Sequence, residues 1–315
     1  LALKNIVALV GGVGGAKLAY GLAQVLPPGQ LTLIVNTGDD FSWHGLRICP
    51  DVDTIMYTLS GVVNKANGWG VANDTHHMLG MMQQYGAEGW FGVGDKDLAT
   101  DLLRTEALRN GEPLTSIMSR LSKALGVLQY ILPMCDAPVA TMVDTVEHGE
   151  MAFQEYFVRE RWQPTMRGLR LDGIEKAQIS DAANEAIAAA DAIIIGPSNP
   201  WLSIWPILSV PGMREAIIKR DVPRIAVTPI VGGQAVKGPT AKLMLELGYT
   251  PSAEAVAQYY SDGSLINGFV FDEVDRNLAS VNKGLQTNVF NTVMQTDTDK
   301  VTLAQQVLHW LENWG

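Results

Sequence analysis

The strongest constraint on the fold lies near the start of this sequence, where an apolar run stops at a cluster of glycines. Lys4 to Val10 is short, almost entirely apolar and closed by Gly11, as expected of a buried strand. Gly11-Gly12-Val13-Gly14-Gly15 predicts a turn, and Ala16–Leu26 predicts a helix stopped by Pro27-Pro28. Leu31–Val35 is a second apolar run of strand length. Strand, helix and strand at this spacing imply parallel neighbours joined by a right-handed crossover, which commits the chain to an α/β sheet.

Glycines bring backbone N–H groups close to phosphate oxygens, and the helix that follows adds a favourable dipole. Lys17 can add a full charge. The pattern is not a Walker A loop: skipping four residues after Gly11 reaches Ala16, where that motif needs glycine, and Leu18 follows Lys17 in place of a magnesium-binding hydroxyl. Nor is it a dinucleotide fingerprint, because Lys17 stands at the third glycine position and Val35 ends its strand without an acid. A phosphorylated ligand is expected, and the segment alone does not say which.

Further along, helical patterns are expected near Thr54–Leu59, Asp74–Tyr85, Leu98–Asn110 and Leu114–Leu125. Val139–Val143 and Ala152–Val158 read as the two strands of a hairpin turned at Glu147–Glu150. A second alternating block follows: helix Ala182–Ala190, strand Ala192–Ile195, helix Gly212–Arg220, strand Arg224–Val227, and a closing amphipathic helix at Thr302–Glu312. The expected fold is α/β, a Rossmann-like, doubly wound and mainly parallel sheet. It would form one domain over residues 1–315, with a largely helical insertion at about 54–130.

Composition narrows the function. With 33 acidic and 23 basic residues the formal charge is −10, which argues against a general affinity for nucleic acid or anionic membrane. The apolar runs are too short to span a bilayer and no signal-like leader stands at the start, so a cytoplasmic protein is expected. Cys49 and Cys135, in no metal-type spacing, read as reduced, buried thiols.

The polar stretch Asn36–Asp53 leaves the second strand at its carboxyl end, the edge where ligands bind in open parallel sheets. It carries Asp39, Asp40, Asp51 and Asp53, four carboxylates that are costly to hold together without a cation; magnesium prefers such ligands and bridges to phosphates. Asp53 also stands where a helix N-cap would, and His44 suits a hydrogen-bonding role better than catalysis. Trp90–Thr100 places glycines, Asp95, Lys96 and Asp97 ahead of a helix, fitting either a capped helix start or an anion contact. Trp43, Trp69, Trp90 and Phe91 offer faces to a flat ring, though core packing accounts for any one of them. Gly196-Pro197-Ser198-Asn199-Pro200 sets two hydrogen-bonding side chains at the end of an apolar strand.

Taken together these segments closely resemble the 2-phospho-L-lactate transferase (CofD) family of deazaflavin coenzyme F420 biosynthesis. The likeness runs from Ile6 to about Asp272 and takes in the glycine segment, Asn36–Asp40, His44–Ile48, Pro50–Thr54, Gly94–Thr100, Phe153–Tyr156, Gly196–Pro200 and Pro229–Gly233. The resemblance implies a magnesium-dependent transfer of a phosphorylated three-carbon acid, lactate or enolpyruvate. The donor would be its guanosine diphosphate derivative, the acceptor the ribityl hydroxyl of the deazaflavin Fo, and GMP would leave; dimers are usual. By residue it implies Asp53 and Asp40 as catalytic, with Mg²⁺ on Asp39, Asp40, Asp51 and Asp53. Substrate contacts are expected from Gly12, Gly14, Gly15, Lys17, Asn36, His44, Asp53, Gly92, Asp95, Lys96, Asp97, Ser198 and Asn199. One position departs: where a histidine often follows the Asp-Lys/Arg-Asp-Leu-Ala-Thr run, this chain has Asp101, so donor or acceptor preference could differ.

Two rivals use related folds. A nucleotide-sugar-binding regulatory protein of the YvcK type shares the glycine segment but is not expected to carry Asp51–Thr54 and Asp95–Thr100 together, as this chain does. An NAD-dependent dehydrogenase is disfavoured by the broken fingerprint.

Overall fold

The computed structural model describes residues 3–236, 238–279 and 284–315. Its centre is a parallel sheet of seven strands: β1 Ile6–Val10, β2 Leu31–Val35, β3 Tyr130–Pro133, β4 Ala192–Ile195, β5 Arg224–Val227, β6 Gly268–Asp272 and β7 Gln286–Phe290. Their order across the sheet is β7-β6-β5-β4-β1-β2-β3, and every neighbouring pair runs parallel. The direction of winding therefore reverses between β1 and β4, the place where open α/β sheets hold their ligands.

Period-two alternation explains the layers. Ile6, Ala8 and Val10 pack into one apolar cluster, with helices α1 (Gly12–Val25), α2 (Pro50–Leu59) and α4 (Asp297–Glu312). Val7 and Leu9 point to the opposite cluster, which includes Ile187 of helix Asp181–Ala189 and Tyr260 of helix Ala253–Ser261. With both faces covered, the strands are apolar runs without polar alternation. The expected doubly wound α/β fold is what the chain adopts.

Local structure departs from expectation at several points. Helix α1 begins at Gly12, so the glycines form its first turn and not a separate loop; Gly12 alone among them takes a positive φ, 61°. The Ala152–Val158 run is not one strand: Gly149–Ala152 pairs with Ala140–Thr145, and then the chain turns helical over Glu155–Arg159. Phe153, Tyr156 and Phe157 share one apolar cluster at helical spacing, which a strand could not achieve. A third strand, Met166–Asp172, completes this small antiparallel sheet. Helix α2 begins at Pro50, well before Thr54, since proline suits a first helical position.

Candidate active site

A cavity of about 380 Å³ opens at the carboxyl edge of the sheet, over the β1–β4 switch. Residues following β1 (Gly11, Gly12, Gly14), β2 (Asp39), β4 (Pro197, Ser198, Asn199), β5 (Thr228, Pro229) and β7 (Thr292, Met294) line it. The start of α2 supplies Asp51, Asp53 and Tyr57, and helix α3 (Asp95–Arg109) supplies Asp97. Trp69, Phe91, Phe153 and Phe157 form apolar walls, and Trp69 is half-exposed.

The glycines are needed for close approach. A Cβ on Gly14 would sit 2.3 Å from the Pro197 carbonyl oxygen, one on Gly15 2.5 Å from Ser198 Oγ, and one on Gly11 2.6 Å from Asp51 Oδ2. The two switch-point segments are stitched together: Ser198 Oγ accepts from the Gly11 N–H (3.0 Å) and donates to the Gly11 carbonyl (2.8 Å). Asn199 Oδ1 accepts from the Trp201 and Leu202 N–H groups, both at 3.0 Å, and its amide donates to Thr240 Oγ1 (3.1 Å). Lys17 Nζ donates to the Met294 carbonyl at 2.7 Å, tying α1 to the segment after β7.

The acidic side is electrostatically different. Asp39, Asp40, Asp51 and Asp53 are all buried. Asn36 Nδ2 donates to Asp51 Oδ2 (3.0 Å), while its Oδ1 accepts from the Gly38 N–H at 2.8 Å. Burial, with the nearby Asp51 charge, holds the Asp39 carboxyl well above its ordinary range. Burial pushes Asp51 up to about 6 against the opposing Asn36 bond, and Asp53 up to about 7 against the pull of Arg104. Asp40 is also raised by burial, offset by Arg47 at 3.3 Å. One oxygen of Asp39 and one of Asp40 are buried with no hydrogen-bond partner among the described residues. Such oxygens are costly unless something positive meets them.

Among the described residues no three His, Cys, Asp or Glu side chains are grouped to hold a metal ion by themselves. The four acids expected to share one do not all face one point: Asp40 pairs with Arg47 and Asp53 with Arg104, while Asp39 and Asp51 both line the cavity and the Asp51 charge acts on Asp39. A carboxylate pair with an orphan oxygen fits magnesium, which typically takes one or two carboxylates and completes its shell with water and phosphate.

Over residues 6–309 the sequence matches the family model described as 2-phospho-L-lactate transferase CofD. This chain belongs to that family. It is 40% identical over 300 residues to the 2-phospho-L-lactate transferase of Methanosarcina mazei, covering 95% of this chain and 97% of the relative. It is 39% identical over 315 residues to the phosphoenolpyruvate transferase of Streptomyces griseus, covering 98% of each. A crystal structure of a UPF0052-family protein from Bacillus halodurans superposes with a TM-score of 0.68 over 98% of this chain and 99% of that one; at 18% identity this speaks to fold alone.

In this 2-phospho-L-lactate transferase-family chain, Gly12, Gly14, Lys17, Asp39, Asp51, Asp53, Gly92, Asp97, Ser198 and Asn199 meet at the one cavity. Gly15, Asn36, Asp40, His44, Asp95 and Lys96 are not on its wall. Gly15 packs under Ser198. His44 is exposed with φ 48° and edges onto Trp43, beyond the aromatic wall. Asp95 starts α3 but accepts from the His77 and Met78 N–H groups, both at 3.0 Å, and from Thr75 Oγ1, so it caps the neighbouring helix His77–Gln84. Lys96 Nζ donates to the Ala72 and Asn73 carbonyls at 3.0 and 2.8 Å. Asp53 is not the N-cap of α2; Cys49 holds that place, and Asp53 lies inside the first turn, where the helix dipole favours a carboxylate. Cys49 and Cys135 are both free and buried, as expected.

Sequence reasoning missed Tyr57, Arg104 and Gln154. The Tyr57 hydroxyl donates to Asp97 Oδ1 (2.7 Å) and lies 2.9 Å from Thr100 Oγ1. Gln154 Nε2 donates to the Asp39 carbonyl at 3.3 Å. A signal existed: Asp53 and Tyr57 are four apart on one helix, and Asp97, Asp101 and Arg104 sit at i, i+4 and i+7 on another. Among the described residues no helix is long and apolar enough to cross a membrane.

Proposed function

We propose that this protein moves a phosphorylated three-carbon acid from its guanosine diphosphate derivative to the ribityl hydroxyl of the deazaflavin Fo, releasing GMP, in coenzyme F420 biosynthesis. The hydroxyl oxygen attacks the phosphorus that bears the acid, the bridging P–O bond breaks, and its electron pair leaves with GMP. The observation that carries this reading is the meeting in one cavity of a glycine-built helix start, a buried aspartate pair and aromatic walls.

Each part has a task. The first turn of α1 offers backbone N–H groups to the donor's phosphates, next to Lys17. Asp39 and Asp51 would hold Mg²⁺, which offsets phosphate charge in a transfer that depends mainly on positioning and neutralisation. Asp53 and Asp97, with Phe91 and Trp69, face the acceptor; Asp53 orients the attacking hydroxyl and takes up its proton. Phe153 and Phe157 offer a second wall, their rings 5.2 Å apart. Magnesium dependence, guanine nucleotide binding, a homodimeric state and a cytoplasmic site belong to the same proposal.

The relatives bear names for two acids, 2-phospho-L-lactate and phosphoenolpyruvate, at nearly the same identity. Mass spectrometry of the product formed from Fo with each guanosine diphosphate-linked donor decides between them. A protein that binds guanine nucleotides yet ignores Fo in every such reaction would be a nucleotide-binding regulator and not this enzyme.

A further inference from the structure

We infer that Arg104 is a positioning residue for Asp53, held in that task by Asp101. The inference rests on the reading of Asp53 as the group that meets the attacking hydroxyl.

Arg104 is completely buried, and its guanidinium touches three different pieces of the chain. Nη1 donates to the Arg47 carbonyl (3.1 Å) in the short strand Leu46–Ile48 and to Asp101 Oδ1 (3.0 Å) on its own helix. Nη2 donates to Asp53 Oδ1 on α2. Asp53 lines the cavity, whereas Arg104 and Asp101 do not. Arg104 therefore cannot meet a substrate in that cavity, and whatever it contributes passes through Asp53.

The geometry is that of a fixed fork. Asp101 lies three residues before Arg104 on the same helical face, so it sets the guanidinium plane locally. The Arg47 carbonyl pins the same nitrogen from a second element. With Oδ1 committed to Nη2, the remaining oxygen of Asp53 is the one left for the cavity. A planar, multiply bonded guanidinium orients a carboxylate in a way an ammonium cannot.

A purely structural tie between α2 and α3 is the rival explanation, but charge is a poor means to that end. A buried ion pair contributes little net stability compared with a well-packed apolar pair, and this cluster sets one guanidinium against two contacting carboxylates, with Asp97 close by. Such an arrangement is worth keeping where an acid must be held in one orientation at a cavity wall.

The test is steady-state kinetics with a guanosine diphosphate-linked donor, Fo and Mg²⁺, on wild type, Arg104→Lys, Arg104→Met, Asp53→Asn and the double variants on the Asp53→Asn background. Wild-type turnover comes first; its absence would overturn the functional reading itself, independently of Arg104. Given turnover, Arg104→Met is expected to lower kcat roughly a hundredfold, the cost of an ångström-scale misplacement, while GDP affinity by calorimetry stays within about threefold. Arg104→Lys should recover part of that loss. On the Asp53→Asn background neither substitution should lower kcat further, because the group they position is already gone. If Arg104→Met does not fold, the Arg104→Lys pair of measurements decides alone. Losses that multiply with Asp53→Asn, or a kcat unchanged in Arg104→Lys and Arg104→Met, would overturn the inference.

Discussion

Two polar regions meet at the cavity and are built on opposite principles. At the β1–β4 switch, polar atoms are satisfied at close range by the protein itself: Ser198 is bonded twice to Gly11, and Asn199 caps the turn that follows it. After β2 and at the starts of α2 and α3, carboxylates crowd together with few counter-charges, and Asp39 and Asp40 each keep a buried oxygen without a hydrogen-bond partner among the described residues. Folding alone completes the first region. On the proposed function the second is completed only when cation and substrates bind, and that imbalance is what chemistry can use.

The largest expected effect comes from the incomplete region. Asp53→Ala should lower turnover roughly a thousandfold, the range for removing a group that handles the reacting proton. The fold should survive, because Arg104 keeps Asp101 as its counter-charge at 3.0 Å. Far-UV circular dichroism and the rate of GMP release check both halves. Turnover within a few-fold of wild type would show that the unbalanced charge serves folding and not catalysis.

The switch-point region should answer in stability first. Gly14→Ala drives a Cβ against the Pro197 carbonyl, and Gly21→Ala drives one against the Lys300 carbonyl at 2.1 Å, on the far side of α1. Each overpacked site should cost about 1–3 kcal/mol by urea unfolding. Only Gly14→Ala should also weaken GDP binding, since Gly21 lies away from the cavity wall. Equal nucleotide affinity in the two variants would break the assignment of the glycine turn to the donor.

These contrasts also explain what the sequence could reveal. The switch-point region was readable because its demands are local: glycines clustered after a strand announce close backbone approach whatever lies opposite. The partners of that approach, Pro197 and Ser198, follow another strand of the same kind. The ladder between α2 and α3 was not readable residue by residue, since Arg104 and Asp53 are brought together only by packing of two distant helices. Asp95 and Lys96 misled for the same reason: charge ahead of a helix fits a ligand contact as well as the cap and carbonyl bonds these side chains make. The strands Tyr130–Pro133 and Gln286–Phe290 sit at the sheet's two edges, where apolar runs are shorter and more polar.

The comparison can be sharpened by pH. Asp51 and Asp53 are raised to about 6 and 7, and Asp101 to about 8, chiefly by burial, from an ordinary value of about 3.9. A carboxyl raised on folding contributes stability that is fully present below the unfolded value and is lost as pH rises through the folded one. Metal-free protein should therefore melt at progressively lower temperature from pH 5 to pH 8. Cation binding needs the ionised carboxylates, so Mg²⁺ with GDP should raise Tm more at pH 8 than at pH 5. A melting temperature that is flat across this range, with and without Mg²⁺, would contradict the view that the acidic side is completed by a cation.

The smallest effect is expected at Lys96, where sequence and structure point different ways. Its position after Gly94 suggests an anion contact, yet its ammonium already serves two backbone carbonyls, Ala72 and Asn73, away from the cavity wall. Lys96→Ala should leave the KM for donor and acceptor unchanged while loosening the Ala72–Asp74 segment, seen as faster amide exchange there. A rise in either KM with no change in exchange would mean that Lys96 releases those carbonyls when substrate binds. The acidic side would then gain a mobile cation, and the division between a finished and an unfinished region would move by one side chain.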